Sequence, residues 1–127
     1  MRRNKYGNKK IELGGVKFDS KLEMYAYQLM KSYGIDFEFQ VPIELIPSHR
    51  INGKAVRKCS TIVDFVIKDE NSVIYMDTKG YATDTAKLKY KMLGYKKLQE
   101  GADFQIVWLK NKKEVLEFVN KIRTKDE

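Results

Sequence analysis

Several residue types are scarce in this 127-residue sequence: it holds one cysteine, one histidine, one tryptophan and two prolines. Cys59 alone cannot close an internal disulfide, and with His49 as the single histidine a Cys/His zinc cluster is excluded. Long apolar runs are missing as well. Stretches such as Ile106-Val107-Trp108-Leu109 fall far short of the roughly 20 residues that span a bilayer, so no transmembrane helix is expected. Met1-Arg2-Arg3-Asn4-Lys5 is basic with no apolar stretch behind it, so no secretory signal is expected either. These absences lead to the expectation of a small, soluble, intracellular protein.

What is abundant is positive charge. Lys and Arg number 25 against 17 Asp and Glu, a net charge of +8, with 43% hydrophobic and 33% charged residues. That composition allows one packed domain over residues 1–127 and argues against disorder. The charge is clustered. Arg2, Arg3, Lys5, Lys9, Lys10 and Lys17 face only Glu12, and Lys79, Lys87, Lys89, Lys91, Lys96 and Lys97 face only Asp84. A third group lies between Lys110 and Lys125. Such clusters suit a polyanion, because each neutralised phosphate releases counterions; the plainer reading is a solvated surface.

Patterning predicts a basic arm and β-hairpin over residues 1–18, turning at Gly14-Gly15, where positive φ is needed. Asp19-Ser20 opens a helix whose stripe is Leu22, Tyr25, Ala26, Leu29, Met30 and Tyr33, ended by Gly34. Ile35–Val41 reads as a strand closed by Pro42, and 47–58 as a polar, basic loop. Ser60–Lys68 and Val73–Lys79 read as antiparallel strands joined by Asp69-Glu70-Asn71-Ser72. A helix to about Glu100 follows, then Phe104–Leu109 as a strand buried on both faces, then a helix capped by Asn111. The expectation is an α/β (α+β) fold with a mixed sheet: a hairpin, a core α-β-β-β-α-β over 19–109, and a C-terminal helix over 110–127.

The candidate chemistry sits on the two paired strands. Asp64 lies mid-strand in Thr61-Ile62-Val63-Asp64-Phe65, and the next strand ends Met76-Asp77-Thr78-Lys79-Gly80. A hairpin centred near Glu70-Asn71 sets Asp64 and Asp77 at similar heights on neighbouring strands, and period-two alternation puts Asp77 and Lys79 on one face. Two adjacent carboxylates repel unless a proton or cation intervenes, and Mg²⁺ takes such oxygen ligands while keeping waters. Lys79 can orient an attacking water or neutralise charge developing on a phosphate. The plain alternative is a salt bridge from Lys79 to either aspartate on a solvated sheet face. Glu23 has two readings of equal weight: Ser20-x-x-Glu23 matches a capping box, and Glu23 also borders the apolar stripe that faces the sheet. His49 reads as a surface or phosphate-contact residue, Cys59 as structural, and Tyr75, Tyr81, Tyr90 and Tyr95 as packing in preference to base stacking.

Glu23, Asp64 and Asp77-Thr78-Lys79, set in the order α-β-β-β-α-β, resemble the PD-(D/E)XK, restriction-endonuclease-like nuclease superfamily. The flanking hairpin and Phe18-Asp19-Ser20-Lys21-Leu22-Glu23 are similar to short phage-encoded members, to the amino-terminal domain of the TnsA endonuclease and, more loosely, to Holliday-junction resolvases. Two departures stand out: Val63 replaces the proline, and no Gln-x-x-x-Tyr follows Lys79, which separates the chain from RecB-type members.

The resemblance implies catalysis by Glu23, Asp64, Asp77 and Lys79. Mg²⁺ (or Mn²⁺) would be held by Asp64, Asp77, the Thr78 carbonyl and Glu23. It implies a metal-dependent deoxyribonuclease acting on branched DNA or a Holliday junction in phage recombination or replication, in the cytoplasm of a bacterial host. DNA contacts are expected from Arg2, Arg3, Lys5, Lys9, Lys10, Arg57, Lys58, Lys87, Lys89 and Lys91. Symmetric cutting of a junction would need a homodimer. The alternative is a non-catalytic nucleic-acid-binding accessory protein on the same fold, with a protein–protein adaptor ranked last.

Overall fold

The structure, a computed structural model, describes the backbone of residues 10–125 and the side chains of residues 10–123. A short hairpin comes first, β1 (Ile11–Leu13) and β2 (Val16–Phe18), followed by helix α1 (Lys21–Ser32). Strand β3 (Glu38–Ile46), a hairpin of β4 (His49–Ile51) and β5 (Lys54–Val56), and strands β6 (Cys59–Asp69) and β7 (Ser72–Thr78) come next. Helix α2 (Asp84–Gln99), strand β8 (Phe104–Leu109) and helix α3 (Lys112–Lys125) complete the order. The core order read from the sequence is present, with one extra hairpin inserted after β3. Among the described residues no helix is long and apolar enough to cross a membrane.

The main sheet runs β3-β6-β7-β8. β3 and β7 are each antiparallel to β6. Val73 N–H donates to the Asp103 carbonyl and Lys79 N–H to the Leu109 carbonyl. Both numbers rise together along the two strands, so β8 lies parallel to β7 and the sheet is mixed.

The chain divides into two compact units. The first comprises the described residues up to Asp36, Thr78–Gly80, and the segment from Leu109 onward. Here α1 packs on α3 and against β2. The Ser20 hydroxyl caps α1 by accepting from the Glu23 amide at 3.1 Å. The helix closes with Gly34 N–H on the Lys31 carbonyl and Ile35 N–H on the Met30 carbonyl, a Schellman pair. Phe18, Ala26, Met30, Val115 and Val119 are fully buried, and Phe18 meets Tyr27 edge to face at 5.1 Å. α3 starts where the Asn111 side chain accepts from the Glu114 amide at 2.9 Å, while the Glu114 carboxylate accepts from the Lys110 amide.

The second unit holds most of the sheet together with α2. Its core is Leu45, Val63, Val66, Tyr75 and Leu93, with Val41, Ile43, Val73, Met92 and Ile106 packed around them. Phe65 is fully buried and meets both Phe37 and Phe39 at 5.3 Å.

Three expectations are corrected. β3 does not stop at Pro42 but runs through it to Ile46. Because β3 is an edge strand, half of its N–H groups have no partner strand, and a proline is tolerated there. Residues 47–58 are not a plain loop: β4 and β5 pair about Asn52-Gly53, whose φ values of 52° and 76° are those of a type I′ hairpin turn. β8 is not buried on both faces: Gln105 is exposed and, of the strand's residues, Leu109 alone is buried; among the described residues it pairs with β7 alone and lies at the sheet edge.

Candidate active site: the Asp64–Asp77 pair

The β6–β7 turn places the two aspartates. β6 and β7 pair from Asp69↔Ser72 to Phe65↔Met76. The next position in that register sets Asp64 opposite Asp77. There the Asp64 amide donates to the Asp77 carboxylate (Oδ1) at 2.7 Å. Both side chains are buried, Asp64 5% and Asp77 3% exposed, among Val63, Phe65, Val66, Tyr75 and Met76. β6 is a central strand, hydrogen-bonded to β3 along one edge and to β7 along the other, and Val63, Phe65, Val66 and Ile67 of it are buried. An apolar surround of this kind disfavours two charges unless hydrogen bonds or a counter-ion support them.

On the other side of Asp64, the β3–β6 register sets Gln40 opposite it. Phe39↔Phe65 and Val41↔Val63 pair, and the intervening Gln40 has a φ of 51°. A non-glycine residue in the left-handed region is an uncommon, costly backbone, and such residues cluster at functional sites. Asp64 is therefore framed by an irregular backbone on one strand and a carboxylate on the other.

Thr78 ends β7 and is buried, and Lys79, half-buried, is held by its N–H bond to Leu109 at 3.0 Å. A Cβ added at Gly80 would sit 3.6 Å from the Lys110 carbonyl oxygen, an ordinary contact, so packing alone does not require glycine there. Glu23 lies on α1 and is 1% exposed; its own amide is bonded to Ser20 while its carboxylate is buried. Among the described residues no group of three or more His, Cys, Asp or Glu side chains is arranged to hold a metal ion. The two carboxylate residues that a hydrogen bond joins are Asp64 and Asp77.

Of the expected DNA contacts, Arg2, Arg3, Lys5 and Lys9 lie outside the described residues. Lys10, Arg57, Lys58, Lys87 and Lys91 are exposed, and Lys89 is half-buried on α2. His49 is exposed, with Nδ1 2.9 Å from the Pro47 carbonyl, and Arg50 donates to the Gly53 carbonyl across the hairpin turn.

One residue gains a position that patterning did not assign. Tyr90 on α2 stacks on Trp108 with ring centroids 4.6 Å apart. Its hydroxyl is buried and has no hydrogen-bond partner. Burial first, then the charges of Asp77 and Asp64, hold the phenol well above its ordinary pKa, so it stays protonated at neutral pH. The signal in the sequence was only that a tyrosine on a helix's buried face needs somewhere to put its O–H.

Fold and site together define a mixed α+β protein that buries two facing aspartates on adjacent strands, with a lysine two residues beyond the second. The chain belongs to the family described as "Protein of unknown function (DUF1064)", matched over residues 3–113. No curated protein and no solved structure matches it.

Proposed function

We propose that this protein is a Mg²⁺-dependent DNA endonuclease of the PD-(D/E)XK type, with a restriction-endonuclease-like core. The observation that carries the reading is the Asp64–Asp77 juxtaposition, two buried carboxylates joined by a 2.7 Å bond from one residue's amide to the other's side chain. The donor set fits a hard divalent cation: both side chains offer oxygen only, and Mg²⁺ is commonly held by one or two carboxylates while water fills the rest of its shell. Asp64, Asp77 and the Thr78 carbonyl would hold the ion; Glu23 joins them on the sequence resemblance alone. When bound, the ion supplies Lewis-acid polarisation of the phosphate and lowers the pKa of water.

The chain's own residues do the rest. The Asp64 amide fixes the orientation of the Asp77 carboxylate before any substrate arrives. Lys79 positions the attacking water and stabilises the charge that builds on the phosphate. In-line attack by water breaks the bond to the 3′ oxygen and leaves 5′-phosphate and 3′-hydroxyl ends. Exposed Lys and Arg side chains bind the backbone without reading bases, which favours recognition of DNA structure, such as a branch or junction, over a specific sequence. The setting would be phage DNA recombination or replication, and paired cuts at a junction would use a homodimer.

The test is incubation of the full chain with branched and linear DNA in Mg²⁺ or EDTA, beside Asp77→Ala. Cleavage that needs Mg²⁺ and is lost in the variant, with DNA binding retained, is the expected result. Cleavage surviving the substitution contradicts the mechanism. Salt-sensitive binding with no cleavage of any substrate makes the protein a non-catalytic DNA-binding accessory.

A further inference from the structure

Between Glu44 and Asp64 the chain carries four basic residues, Arg50, Lys54, Arg57 and Lys58, together with its single histidine, and no acid. The β4–β5 hairpin occupies the middle of that stretch, and from Ile46 to Lys58 every residue is exposed except the half-buried Val56. The hairpin therefore adds little to the core. Its charges are not neutralised either: among the described residues Lys54, Arg57 and Lys58 form no salt bridge. Its shape is nonetheless fixed, by the tight turn at Asn52-Gly53 and by the Arg50 guanidinium, which donates to the Gly53 carbonyl at 2.7 Å. The antiparallel register sets Arg50 beside Ala55 on one face and Ile51 beside Lys54 on the other, so both faces are basic. Ile51, next to the turn, is 56% exposed.

We propose that the β4–β5 hairpin is a finger that recognises branched DNA: Lys54, Arg57 and Lys58 hold phosphates of the strands flanking a branch point, and Ile51 at the tip packs on the base pair left open there. This deepens the endonuclease reading above and rests on its substrate, not on its acid pair. Three residues per strand reach roughly 10 Å, a little more than the roughly 8.5 Å depth of a DNA major groove, so the tip meets bases while Arg57 and Lys58 at the root stay level with phosphates. A ribbon that is basic on both faces suits a ligand lying to either side of it, as the arms of a branch do. A flat anionic surface could meet only one of those faces. Apolar side chains such as isoleucine enter a continuous duplex only by unstacking a base step. At a branch the stack is already interrupted, so Ile51 gains its contact without that cost, and a preference for branches follows.

The experiment uses the full chain in EDTA, so that binding is read without cleavage. Fluorescence anisotropy follows titration of a labelled four-way junction and of a linear duplex with the same arm sequence, for wild type, Ile51→Thr, Lys54→Ala and Asp77→Ala. Threonine keeps the β-branching that suits a strand while shortening the apolar tip. Wild type should bind the junction more tightly than the duplex. Ile51→Thr should weaken junction binding about tenfold and leave duplex binding unchanged, with an unaltered far-ultraviolet circular dichroism spectrum. Lys54→Ala should weaken both and reduce the slope of log binding constant against log salt by about 1. Asp77→Ala should bind as wild type does.

A wild-type chain with no preference for the junction overturns the finger, as does a preference that survives Ile51→Thr or a salt slope unmoved by Lys54→Ala. A wild-type chain that binds neither DNA overturns the finger and the endonuclease reading together. Hairpin-dependent junction binding with no Mg²⁺-dependent cleavage upholds the finger and defeats the endonuclease reading alone.

Discussion

The bond from the Asp64 amide to the Asp77 carboxylate can be isolated by comparing Asp77→Asn with Asp77→Ala. Both remove the same charge, so any change in repulsion from Asp64 is common to the two and drops out of the difference. Asparagine retains a side-chain oxygen where Oδ1 stands and can still accept from the Asp64 N–H; alanine cannot. Asp64 and Asp77 are 5% and 3% exposed, so water does not replace the lost acceptor. An orphaned buried amide costs about 1–3 kcal/mol, and with about 2 kcal/mol as the working figure, Asp77→Ala should melt roughly 6–10 °C below Asp77→Asn in a chain of this size. The assay is thermal unfolding by circular dichroism in EDTA near neutral pH, with urea titration as a check on two-state behaviour. Melting temperatures within about 2 °C of each other would refute the claim that this bond anchors the site. Both variants should lack nuclease activity, so stability and activity separate.

Two further outcomes follow from the packing and the charge. Phe65→Ala, at a fully buried ring held between Phe37 and Phe39, should lower unfolding stability by about 3–5 kcal/mol in urea titration. Arg57→Ala with Lys58→Ala, two exposed bases just before β6, should reduce the slope of log binding constant against log salt by about 2 if both meet phosphate, and leave it unchanged if they are merely solvated.

The relation between Asp64 and Asp77 was legible because it is local. A four-residue turn over 69–72 sets the register of everything above it, and Asp69↔Ser72 leads by steps to Asp64 opposite Asp77. The three helices were legible for a similar reason, since Ser20, Thr83 and Asn111 each mark a start by accepting a hydrogen bond from an amide three residues on.

What escaped depends on neighbours that are distant in sequence. Whether Pro42 ends a strand is decided by whether that strand has one partner or two, and only the finished sheet settles this. Phe104–Leu109 has the apolar composition of a central strand yet takes an edge position, its inward residues packing on the second unit's core and on Tyr90. The β4–β5 hairpin was obscured because its strands are three residues each and exposed, so no buried face imprints an alternating pattern; Asn52-Gly53 was the surviving clue. Tyr90 was read as packing, and its ring does pack, on Trp108; that its hydroxyl is left without a partner is settled only by the finished fold.

The same edge position of β3 bears on how copies of the chain can associate. An open sheet margin is a template onto which another molecule can add a strand. Here that route is obstructed three times over: Pro42 has no N–H to offer a new strand, the pairing slips between Glu44 and Ile46, and the Lys96 ammonium donates to the Glu44 carbonyl at 2.6 Å. Self-association by sheet extension across this margin is thereby disfavoured, which guards the chain against fibrous aggregation.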